Sequence, residues 1–118
     1  MQAIRQYHES AMECVELALI ARLQGKYTEA ATLFRRALEF EIMAVRQAEA
    51  EGRVQPTYAV LQYSAATLAL DCNDLKKAER LITVALDHNP PPEIADELRE
   101  LLRHIHAQDP EHPCQSIQ

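Results

Sequence analysis

Glycine is almost missing from this chain: its 118 residues hold 2, Gly25 and Gly52, with no tryptophan and only 2 phenylalanines. A phosphate-cradling loop needs several glycines in close succession, so that class of nucleotide site is excluded. Cysteine is scarce and odd in number, at Cys14, Cys72 and Cys114, and no C-x-x-C occurs. That is no disulfide framework and no four-thiolate metal site; it fits a reduced, intracellular chain. Positive charge is in deficit, with 12 Lys and Arg against 18 Asp and Glu for a net charge of −6. A nucleic-acid backbone is therefore not the expected ligand, since it demands clustered cations. Long apolar runs are missing too. The longest, "LALIA" at 17–21, ends at Arg22, far short of a membrane span, and no charged-then-apolar leader opens the chain. The expectation is a cytoplasmic protein, with no membrane and no nucleic acid among its partners.

What remains is helix-forming. Apolar residues make up 47% and charged ones 25%, with Ala, Leu, Glu and Arg abundant, which describes a globular, all-α chain. Three- and four-residue spacing predicts helices over about 2–24, 27–51, 56–72, 74–88 and 92–106. Gly25 separates the first two and Asn73 the third and fourth; both residue types tolerate the left-handed backbone that closes a helix. Gly52 and Pro56 mark the linker "EGRVQPT", and "HNPPPE" at 88–93 stops the fourth helix, because successive prolines cannot continue one. The first two helices are of matched length, so residues 2–10 can pack against 42–50. "CVELALIARL", in the first, is apolar on more than one side and calls for neighbours on several sides. The fifth is apolar on one face only, as a capping helix must be. Residues 108–118 lack periodicity and read as a flexible tail, leaving 1–107 as a single helical domain.

Aligning Gly25 with Asn73 superposes the two halves. Ala18 meets Ala66, Tyr27 meets Leu75, Ala30 meets Ala78, Phe34 meets Ile82, Ala37 meets Ala85, and Leu38 meets Leu86. Small residues let helix backbones approach and large ones fill the gaps between them. The pattern resembles the tetratricopeptide repeat, a helix hairpin with a small residue midway along its first helix. A turn glycine, an aromatic, Ala, a large residue and Ala-Leu follow, with a closing proline matched here by Pro90. Between Gly25 and Asn73 lie 48 positions, against about 34 for the common unit. The longer spacing is similar to that of kinesin-light-chain-type repeats. The resemblance implies two hairpins plus a C-terminal cap, stacked as a right-handed superhelix. It further implies a non-enzymatic module that binds a peptide or partner protein and needs no cofactor.

By the same resemblance, the binding groove is lined by the first helix of each hairpin. That places Met12, Val15, Leu19 and Arg22 beside Tyr63, Thr67 and Leu70. Family members that grip a C-terminal carboxylate use Lys and Asn at such places; Val15, Leu19, Tyr63 and Thr67 stand here instead, so that clamp is not expected. Phe40, Ile42, Met43 and Val45 cannot all face one neighbour, which makes Phe40 and Met43 the candidate self-association surface of a homo-oligomer.

Two further patterns carry chemistry by residue type. His104, His106, His112 and Cys114 fall within eleven positions, but His104 and His106 lie on different sides of a helix, and no metal site is expected. Arg99 and His104 are spaced as in the Arg and His motif of HEPN ribonucleases, where the pair would handle proton and phosphate. That small helical nuclease is the alternative reading. Otherwise no His-Glu-x-x-His, serine nucleophile setting or paired acid–base carboxylates occur.

Overall fold

The computed structural model describes residues 2–108. The described residues form five helices and no strands: α1 (Gln2–Leu23), α2 (Tyr27–Ala50), α3 (Thr57–Asp71), α4 (Leu75–Leu86) and α5 (Pro92–Gln108). None of them is long and apolar enough to cross a membrane. His112 and Cys114, and the expected tail beyond Gln108, lie outside the described residues.

The turns at Gly25 and Asn73 are the same object. Lys26 N–H donates to the Ala21 carbonyl at 2.8 Å and Gly25 N–H to that of Arg22 at 3.0 Å. Asp74 N–H donates to Ala69 and Asn73 N–H to Leu70, both at 2.8 Å. Each pair of bonds satisfies carbonyls that a helix end otherwise leaves open, the Schellman closure. It requires a left-handed residue at the pivot, and φ is +77° at Gly25 and +61° at Asn73. A third copy ends α2 at Gly52, where Arg53 N–H reaches the Ala48 carbonyl. Asp74 also caps α4, its side chain accepting from Lys77 N–H.

Packing runs along the chain. α1 lies against α2, α2 also against α3, α3 against α4, and α5 covers α4 and part of α3. Ala18, Ala37, Ala66, Ala78 and Ala85 are fully buried where helices approach, and Phe34, Ile82 and Leu98 fill the space between. The overhanging ends of α1 and α2 do meet: Ile4 is buried in the core shared with Ala44, Val45 and Ala48. α2 continues unbroken to Ala50.

Of the residues that define the repeat, Ala30 is also buried, while Leu75 and Pro90 are partly so. Tyr27 departs from its expected packing role: it is 71% exposed. It is the first residue of α2, at the hairpin tip, and no element among the described residues covers it.

Candidate functional site

The sequence pattern asked for neighbours on several sides of α1, and among the described residues it packs chiefly against α2. Ile4, Ala11, Ala18 and Ala21 face inward and are buried. Away from that face, Leu17 (54%), Leu19 (44%), Ile20 (50%) and Leu23 (88%) are exposed, and Tyr27 adjoins them across the turn. Most of the large apolar side chains left in water by the described residues are thus gathered within 17–27. Single exposed leucines are ordinary; a group of them at one end of a hairpin, with Glu16 and Arg22 among them, is less so.

The expected groove residues divide. Met12 and Val15 are partly buried against the core, as are Tyr63 and Leu70, whereas Leu19 and Arg22 are exposed. Thr67 is turned inward on its own helix, its hydroxyl donating to the Ser64 carbonyl at 2.8 Å. The Arg22 guanidinium stacks over the Phe34 ring at 4.7 Å. Arg22 also attracts Asp71 at the end of α3, offsetting part of the desolvation that pushes the Asp71 carboxyl above its usual range. α1 and α3 both pack against α2, so the two rows lie on its two sides. Phe40 is partly buried against the core, while Met43 is exposed.

Two buried polar groups were not anticipated. Glu41, fully buried on α2, accepts from His8 Nδ1 at 2.9 and 3.0 Å through its two oxygens. His8 is partly exposed and borders a cleft of about 300 Å³ with Ile4, Arg5, Pro56, Thr57, Val60 and Leu61. A carboxylate holding an imidazole this way can orient a general base. No hydrogen bond joins the other ring nitrogen to a hydroxyl or thiol among the described residues, so the pair serves first to satisfy a buried carboxyl group. The other group is Gln62, 1% exposed on α3. Its Nε2 donates to Tyr58 Oη at 2.9 Å, and Tyr58 in turn donates to Glu49 at 3.0 Å. Desolvation pushes the Tyr58 phenol above its usual range, which keeps it a donor. Both were signalled by a polar residue within an apolar stripe: Glu41 between Leu38 and Ala44, Gln62 between Tyr58 and Ala65–Ala66. Counting apolar positions alone passes over them.

Among the described residues, those with nuclease or metal-binding potential keep local partners of their own. Arg99 is paired with Asp96 at 3.4 Å, and His104 with Gln108, all on the exposed face of α5. His106 turns to α4, 3.0 Å from Glu79. No cluster of metal-ligating side chains occurs among the described residues. Cys14 and Cys72 are free thiols, and desolvation raises the Cys72 thiol above its usual range, away from nucleophilic reactivity. No family model matches the chain, and no curated protein or solved structure matches it either.

Proposed function

We propose that this chain is a non-enzymatic protein-binding or assembly module of the tetratricopeptide-repeat kind. The exposed apolar face of α1 is its principal docking surface, and a helix of a partner protein or of a second copy supplies the missing neighbour. The observation that carries the reading is the gathering of Leu17, Leu19, Ile20 and Leu23 on a part of α1 that stays exposed among the described residues. In a stacked helical repeat each hairpin buries its faces against adjacent hairpins, and here the terminal face keeps large apolar side chains exposed among Glu13, Glu16 and Arg22. Arg22 of α1, with Tyr63 and Leu70 of α3, would extend the contact; Phe40 and Met43 would serve self-association.

The double variant Ile20→Glu/Leu23→Glu tests it. Both side chains are at least half exposed, so folding should be unchanged within about 0.5 kcal/mol. Sedimentation velocity should show loss of any self-association, and affinity capture should show loss of the partner. Unchanged assembly and capture would remove the α1 face from the account. Tyr63→Glu separately tests the groove: unchanged capture confines docking to α1.

A further inference from the structure

A second cleft, of about 330 Å³, runs between α2 and α4 with Gln62 of α3 behind it. Its character differs from that of the α1 face. Arg46, Lys77 and Arg80 stand around it, and no ion pair within 4 Å joins any of the three to a carboxylate among the described residues. Glu49 also lines the cleft, and on a chain of net charge −6 the three cations against one carboxylate make a local excess of positive charge. Apolar side chains, Leu81 and Val84 among them, lie between the cations.

Gln62 specifies the cleft further. Glu49 accepts only, so the single Tyr58 hydroxyl proton goes to it and the Tyr58 oxygen is left as acceptor. Gln62 must then present its NH₂ to Tyr58, which fixes the amide orientation by chemistry. Its Oε1 is buried and has no hydrogen-bond partner. A buried acceptor left unmatched costs roughly 1–3 kcal/mol, and a ligand that supplies a donor recovers part of that.

We infer that the α2–α4 cleft binds an acidic peptide segment of a partner protein. One backbone N–H of the segment donates to Gln62 Oε1, and its carboxylates pair with Arg46, Lys77 and Arg80. A phosphodiester or a free phosphate offers the cations an anion but brings acceptors, not the donor Gln62 requires. A peptide offers both, along with an aliphatic side chain to lie on Leu81 and Val84. The site is formed by α2, α3 and α4, so it stands or falls independently of the α1 face.

The test is fluorescence anisotropy with a labelled peptide of sequence Glu-Leu-Asp-Leu-Glu. Its controls are the Lys-Leu-Lys-Leu-Lys peptide, an acidic peptide N-methylated at its central residues, and inorganic phosphate as competitor. The acidic peptide should bind saturably and more weakly as salt rises, and the basic one should not bind. Arg46→Glu/Arg80→Glu, both exposed, should lower affinity at least about tenfold with an unchanged melting temperature. N-methylation should weaken binding about fivefold in the wild type and not in Gln62→Leu, since the bond it deletes is the one Gln62 accepts. No saturable binding below millimolar peptide, equal binding of acidic and basic peptides, or displacement by phosphate as effective as by peptide would each overturn the inference. So would self-association abolished by Arg46→Glu/Arg80→Glu, which would assign the cleft to a second copy.

Discussion

Glu41 and His8 put the largest local demand on the fold. A fully buried carboxylate has exchanged water for one imidazole, and removing that imidazole leaves a charge with no compensation. His8→Ala should therefore lose about 2–3 kcal/mol of stability, measured by urea unfolding. Adding Glu41→Gln should recover much of the loss, because a neutral amide is cheaper to bury. Equal stability of His8→Ala and wild type would mean the carboxylate is satisfied some other way. At the hairpin pivot the demand is conformational. Gly25→Ala meets no neighbouring atom within 4 Å, so only the left-handed backbone opposes it, at about 1 kcal/mol. Asn73→Gly should be neutral or stabilising by a few tenths of a kcal/mol, and thermal unfolding of the two variants checks both. These pivots were legible in the sequence because few residue types accept a positive φ. Glu41 and Gln62 were not, because helical spacing tells which residues face inward without telling which partner lies opposite.

The helices were the most legible level. All five were expected, and their observed bounds fall within about two residues of the expected ones, since Gly25, Gly52, Asn73 and the prolines at 90–92 punctuate them sharply. α5 illustrates how an element's pattern states its role. Leu98 and Ile105 are buried while its charged residues face water, as a covering helix requires. Leu98→Ala should open a cavity beneath it and cost about 3 kcal/mol in urea unfolding; a loss under half that would mean α5 is loosely held. α1 is the converse case. Its pattern announced more neighbours than one chain supplies, and periodicity cannot say whether a missing neighbour is another helix of the same chain or of a different one. The packing of α1 chiefly on α2 makes the question concrete.

Across the whole molecule, helices packed in chain order leave the two ends of the stack as its distinctive surfaces. The α5 end is amphipathic and finished with charge. The α1 end instead exposes Leu17, Ile20, Leu23 and Tyr27 among Glu13, Glu16 and Arg22. That asymmetry underlies the proposed module: one end meets water, the other meets protein. The most direct measurement is site-specific photo-crosslinking in the native host. A photoreactive residue is placed at position 23 of the apolar face, at position 20 beside it, and at position 97 on the exposed face of α5. Discrete adducts, to a partner or to a second copy, should form from positions 20 and 23 and not from 97. Adducts equally abundant from 97, or none from 20 and 23, would contradict the account.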